Sequence, residues 1–139
     1  MLRLKSKVGC FDNTGAKLLE VIAPVKQHAL NNVYLGRAFI GFVKRASLGK
    51  SVQRKQIIKG LLICTRKKHR RPDGSFIQFN QNRAILLKKA TKEQLASTKA
   101  AKRWATKTEP LGTAITSAIP LELRQKRLKK LVLHAGQVY

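Results

Sequence analysis

A mainly β fold, a small closed barrel followed by a helical tail, is what this sequence predicts, and three observations predict it. Short apolar runs recur with period two through the first two-thirds of the chain. Turn signals such as Asp12-Asn13-Thr14-Gly15 and Asp73-Gly74 separate them. After Lys89 the pattern changes: Thr91 to Trp104 holds no Gly or Pro and is rich in Ala, Lys, Gln and Leu. Several short strands at this spacing favour a closed barrel over a sandwich.

Each element follows from its own residues. Leu2, Leu4 and Val8 fall on one face of an alternating segment, with Arg3, Lys5 and Lys7 on the other. Asp12 to Gly15 is a turn, because Asp and Asn tolerate left-handed backbone and Gly has no side chain to clear. Leu18 to Ile22, Ala38 to Lys44 and Ile57 to Arg66 are further β runs. The last contains the most apolar stretch of the chain and is expected to be a central core strand, with Gly60 marking a bulge or sharp bend. Asp73-Gly74, lying between that run and Ser75 to Phe79, is a hairpin signal. Ala84 to Leu87 adds a short strand. Thr91 with Gln94 three positions on has the form of a capping box opening a helix. Leu121 to Lys130 reads as a short basic helix with Leu121, Leu128 and Leu131 turned inward. The chain is expected to be one domain: barrel about 1–90, helical insert about 91–108, and C-terminal segment about 109–139.

Charge narrows the function. The chain has 139 residues, and its 30 Lys and Arg against 6 Asp and Glu give a formal net charge of +24. A compact state this basic repels itself and is favoured by a polyanionic partner. Nucleic acid is the first candidate and an anionic membrane the second. No apolar run approaches the roughly 20 residues that a spanning helix needs. Neither expected helix has the broad apolar face of a membrane-surface segment, so no membrane partner is expected. The N-terminus, Met1-Leu2-Arg3-Leu4-Lys5, lacks the apolar core of a secretory signal.

The densest basic cluster is Arg66-Lys67-Lys68-His69-Arg70-Arg71, between the core strand and the hairpin turn. Like charges this close are costly unless phosphates lie between them, and Arg can grip a phosphate through two parallel hydrogen bonds. The plainer alternative is a solvated basic loop. Lys44-Arg45, Arg54-Lys55, Lys88-Lys89, Lys102-Arg103 and Arg124 to Lys130 spread charge over the chain, which suits wrapping by RNA on several sides. Phe39, Phe42, Phe76 and Phe79 have spacings that suit core packing, with base stacking as the alternative. Trp104, set among Lys and Arg, is the aromatic expected on a partner surface.

Catalysis and metal binding find no support. Asp12, Glu20, Asp73, Glu93, Glu109 and Glu122 sit mostly in turns or near helix ends, where capping suits them better than paired acid–base work. His28, His69 and His134 lack metal spacing, and Cys10 and Cys64 form no Cys-x-x-Cys. Cys64 is expected to pack as a small core residue and Cys10 to be a free thiol. No enzyme and no cofactor is expected.

Between Gly60 and Ile85 the residues form a spaced constellation. Gly60-Leu61-Leu62-Ile63 is followed after nine residues by Asp73-Gly74, after four more by Phe79, and after two more by Asn82. This resembles the signature of the universal large-subunit ribosomal protein family L-fourteen. Asp12-Asn13-Thr14-Gly15-Ala16-Lys17 is similar to that family's early turn, and Leu121-Glu122-Leu123-Arg124 to its C-terminal helix. The likeness runs from about Leu2 to Ala135, apart from the insert.

The resemblance implies a five-stranded barrel with a basic hairpin arm and a C-terminal helical segment. It implies a structural constituent of the large subunit that binds rRNA, packs against neighbouring large-subunit proteins and reaches the small subunit through intersubunit bridges. By position, Asn13, Lys17, Lys44, Arg45, Arg66, Lys67, Lys68, Arg70 and Arg71 are the expected rRNA contacts, and Arg54 and Lys55 join them on charge alone. Trp104, Thr113 and Arg124 are the expected partner contacts.

Departures from the family pattern are Gly36-Arg37, where bacterial members have an acid after the Gly, Arg54-Lys55-Gln56 without the usual Gly-Asp, and Ile85 in place of Val. Ala114 stands where Arg is common, and Ser117-Ala118-Ile119 replaces Gly-Pro-Val, on the surface that a ribosome-silencing factor uses in bacterial and organellar relatives. With the insert of 91–108, these departures point to an organellar ribosome, mitochondrial first, with plastid or bacterial origin as the alternative. A free-standing RNA- or DNA-binding protein is the competing function.

Overall fold

Five strands close on one another in the computed structural model, which describes residues 2–25, 32–88, 109–125 and 128–139. They are β1 (Lys7–Cys10), β2 (Ala16–Pro24), β3 (Ala38–Ala46), β4 (Ile57–Cys64) and β7 (Arg83–Leu87), in barrel order β1-β2-β3-β4-β7. All neighbours are antiparallel except β1 and β7, which run parallel and close the barrel through Gly9↔Arg83 and Cys10↔Ala84. A separate two-stranded arm pairs β5 (His69–Arg70) with β6 (Phe76–Ile77). Two short helices follow, α1 (Glu122–Gln125) and α2 (Lys129–Leu133).

Period-two alternation builds the interior. Val8, Cys10, Leu19, Val21, Phe39, Val43, Ile58, Leu62, Ala84 and Leu86 point inward and form the barrel core. β4 and β7 break the alternation because both their faces are covered. Leu61, Ile63, Cys64, Ile85 and Leu87 point outward from the barrel into a second core, against Ile115, Ile119, Leu123, Leu128 and Leu131 of the C-terminal segment. This is why Leu61 to Cys64 reads as a continuous apolar run. Each such side chain contributes roughly 1.5–3 kcal/mol by leaving water, so the C-terminal segment is held by packing more than by its short helices.

Backbone pairing fixes the same segment. Beyond the β1 contact, the free side of β7 takes Pro110 and Leu111: Leu111 donates to the Leu86 carbonyl at 2.9 Å, and Lys88 donates to that of Glu109 at 3.0 Å. Thr116 donates to the Phe11 carbonyl at 3.1 Å, and Ile119 and Tyr139 exchange backbone bonds with Gln137 and Ile119.

Four expectations are corrected. The N-terminal alternation does not run through from Leu2: Lys5 takes a left-handed φ of 61° and Ser6 bonds back to Arg3, so Leu4 is turned out to solvent while Leu2 pairs with Val33. Gly60 is no bulge. It pairs regularly with Phe39 and Leu86, and its missing side chain leaves room for the Phe39 ring, whose Cζ would lie 2.6 Å from a Cβ there. The β4 irregularity falls between Leu62 and Cys64 instead. Among the phenylalanines Phe39 is fully buried, Phe42 and Phe79 are half-buried, and Phe76 is 64% exposed on the arm. Leu121 also faces solvent, while Leu123 takes the inward position beside Leu128 and Leu131. The expected capping box at Thr91, the insert of 91–108 and Trp104 lie outside the described residues.

Candidate nucleic-acid interface

The arm grows directly out of the core strand. Past Cys64, Phe79 donates to the Thr65 carbonyl at 3.1 Å, and the Asn82 side chain accepts from the Arg66 N–H at 2.9 Å, which pins the base. His69↔Ile77 and Arg70↔Phe76 then pair. The tip closes where Arg71 donates to the Ser75 carbonyl at 2.9 Å and Gly74 donates to that of Arg71 at 3.1 Å. Gly74 has φ +85°, a conformation that glycine takes without strain. Asp73 accepts from the Ser75 backbone at 2.9 Å and hydroxyl at 2.7 Å, and these bonds hold its carboxyl below the ordinary value.

The arm's cations divide into two kinds. Arg66, Lys67, Lys68 and Arg70 are exposed, and none of them forms an ion pair among the described residues. Arg71 is half-buried: its Nε donates to Glu122 Oε1, and one Nη donates to the Tyr139 carbonyl at 2.8 Å. Burial pushes Glu122 up, but the Arg71 hydrogen bond, a backbone hydrogen bond and the Arg71 charge more than offset it, so the carboxyl lies below its ordinary value.

A second basic group gathers at the other end of β4. Register slips between Leu18 and Leu19 leave Lys44 as the extra residue of β3, where its Nζ meets Glu20 Oε2 at 2.8 Å. Arg45 opposes Leu18 and is exposed, as is Lys17 on β2. The turn before β4 folds back on β3: Lys55 donates to the Val43 carbonyl at 2.8 Å, and Val43 donates to that of Gln56 at 3.0 Å. Lys55 has φ +68°. Arg54 and Lys55 therefore sit exposed beside the Lys44-Arg45 step. At about 3.3 Å per residue, the length of β4 separates this group from the arm by roughly 25 Å.

Asn13 is committed to the protein itself. Its amide donates to the Thr113 hydroxyl at 2.6 Å, and its carbonyl accepts from the Thr113 and Ala114 N–H groups at 3.0 and 3.4 Å. The structure thus brings together an expected RNA contact and an expected partner contact. Thr113 and Arg124 are exposed, and His134 Nδ1 lies 3.0 Å from the Thr113 carbonyl.

Sequence reasoning missed three organising residues. Asn82, present in the signature, holds the arm's base. Asp12 does more than make a turn, because one oxygen accepts from Thr14 and the other accepts from the Leu86 N–H at 2.8 Å, tying turn to barrel. Arg83 lies with its guanidinium 4.5 Å over the Phe11 ring and donates to Ser117 Oγ at 3.2 Å.

Both thiols are buried. Burial, reinforced by the Asp12 charge, pushes Cys10 far up, and burial pushes Cys64 up while its Sγ donates to the Ala118 carbonyl at 3.1 Å. Among the described residues no group of three His, Cys, Asp or Glu side chains is placed to hold a metal ion.

The arrangement is therefore a closed barrel that displays cations at both ends of one strand. The chain matches the family model for Ribosomal protein L14p/L23e over residues 1–139, its whole length. Barrel, arm and match agree: the chain belongs to the Ribosomal protein L14p/L23e family, structural proteins of the large ribosomal subunit.

Proposed function

We propose that the chain binds large-subunit rRNA through two basic surfaces held in register by the barrel. One surface is the arm, where Arg66, Lys67, Lys68 and Arg70 face phosphate; the other is Lys17, Lys44, Arg45, Arg54 and Lys55. The carrying observation is the arm itself, which sets four exposed cations without ion-pair partners among the described residues on a short hairpin anchored at its base. Such a concentration of charge is stabilised when phosphates intervene, and a fixed scaffold aims it. Asn13, exposed on the early turn, shapes the 112–114 loop and offers a further contact. Thr113, Arg124 and Trp104 meet neighbouring large-subunit proteins, and residues 1–139 assemble as one unit. Contacts with the small subunit through intersubunit bridges are part of the same proposal.

The ribosome concerned is organellar, mitochondrial first. The +24 charge, the Arg37 and Ala114 departures and the extra length at 91–108 support that reading.

A sucrose gradient of the tagged protein from its native cells, with and without ribonuclease, tests the function, and organelle fractionation tests the compartment. Migration with the large subunit that ribonuclease abolishes is the expected result. A light, free peak with no large-subunit fraction would replace this function with that of a free-standing RNA- or DNA-binding protein.

A further inference from the structure

We infer that Arg71 is a positioning residue, which with Glu122 and the Tyr139 carbonyl latches the basic arm in a fixed direction against the C-terminal segment. The inference rests on the reading of the arm as an RNA-binding element and adds what aims it.

Three observations carry it. First, β5 and β6 pair only with each other among the described strands, and an isolated two-stranded hairpin is marginal in water. The bonds from Asn82 and Phe79 fix its base, and a single anchored base leaves the tip free to swing. Second, Arg71 stands at the mouth of the tip turn, where its backbone closes the turn to Ser75 and its side chain reaches across to Glu122. The guanidinium engages both carboxylate oxygens and also the Tyr139 carbonyl at 2.8 Å, so one planar group ties the tip to two points of the C-terminal segment. Third, the far end is itself fixed. Glu122 is followed by Leu123, which is fully buried in the second core, and Leu121 donates to the Tyr139 carbonyl at 2.7 Å.

A direct phosphate contact by Arg71 is the competing role. It would require breaking this pair, whose side chains are only 24% and 11% exposed, and leaving the Glu122 carboxylate without its cation. The neighbouring Arg66, Lys67, Lys68 and Arg70 are free of that restraint. An arm held in its bound direction loses less freedom when RNA arrives. The latch also joins the RNA-facing arm to the C-terminal segment that carries Thr113 and Arg124.

The test measures arm direction without RNA. Spin labels at Phe76→Cys on the arm and Leu48→Cys in the turn that follows β3 take advantage of two exposed positions, while the native cysteines are buried. Pulsed electron–electron distance measurements should give one narrow distribution. Arg71→Ala and Glu122→Gln should each broaden it, and the exchange of charges in Arg71→Glu with Glu122→Arg should narrow it again. Distributions that stay narrow in both single variants would overturn the latch.

Binding to purified large-subunit rRNA separates the two claims. Arg70→Ala should lower the salt slope of affinity by about 0.7–0.9, while Arg71→Ala weakens affinity with the slope retained. A slope lost equally with Arg71→Ala would make it a phosphate contact and overturn the positioning role. Absence of salt-dependent binding by the unmutated chain would remove the RNA reading, and the distance distributions would still decide the latch.

Discussion

Replacing Gly60 by alanine would set a methyl group 2.6 Å from Cζ of Phe39, with Cε1 and Cε2 at 2.9 and 3.1 Å. Phe39 is fully buried in the barrel core, so its ring cannot swing away without displacing other core side chains. Overpacking of this kind costs about 1–3 kcal/mol. Against it, alanine restricts the unfolded chain and recovers about 0.5–1 kcal/mol. The net expectation is a loss of about 1.3 kcal/mol at mid-range and of about 2.5 kcal/mol at most. With an unfolding entropy of about 2.1 cal/mol/K per residue, the mid-range loss lowers the melting temperature by roughly 4 °C. The decisive assay is a double-mutant cycle by urea denaturation. Phe39→Leu destabilises by leaving a void, and within that background Gly60→Ala should cost almost nothing or stabilise, because the methyl enters vacated space. The coupling should reach about 1–2 kcal/mol. Additive losses, to within about 0.5 kcal/mol, would refute the assignment of Gly60 to ring clearance.

Three further outcomes follow from the same contacts. Asp12→Ala strips acceptors from the Leu86 and Thr14 N–H groups and should cost about 1–3 kcal/mol in urea denaturation, with a loss under about 0.5 kcal/mol arguing against the tie. Glu122 has a folded pKa depressed below its ordinary 4.5, so the stability it contributes is present above that value and is lost as pH falls through the lower folded one. Urea midpoints should therefore fall in acid more steeply for the unmutated chain than for Glu122→Gln, and parallel profiles would contradict the pairing. Cys10 and Cys64, buried and pushed up, should resist a thiol-alkylating reagent at neutral pH until the chain is unfolded, and rapid labelling of either in the native state would contradict their burial.

Strand positions were legible wherever one face is wet and the other dry, as in Lys7 to Cys10, whose burial alternates as its apolar pattern does. The apolar run from Leu61 to Cys64 marked a core strand correctly, but its cause, a second core on the barrel's outer face, depends on Ile115, Ile119 and Leu123, which carry no local signal. Leu4 misled because the left-handed Lys5 breaks the alternation, and lysine gives no hint of that conformation. Phe76 misled because aromatic spacing does not distinguish a barrel strand from an arm projecting into solvent.

The basic arm was visible as charge, and its turn as Asp73-Gly74. Which cations stay exposed was not. Arg71 finds Glu122 51 residues away, Lys44 finds Glu20 24 away, and Asn13 finds Thr113 100 away. Such partnerships arise from the closure of the barrel and the docking of the C-terminal segment, not from neighbouring residues.

Ultraviolet crosslinking of intact large subunits, followed by mass spectrometry of nucleotide-bearing peptides, tests rRNA binding by this scaffold most directly. Adducts should fall on the stretch from Arg66 to Arg70 and on the Arg45 and Arg54-Lys55 surface, and be absent from Arg71. Subunits that contain the chain yet yield no nucleotide adduct on either surface would contradict it.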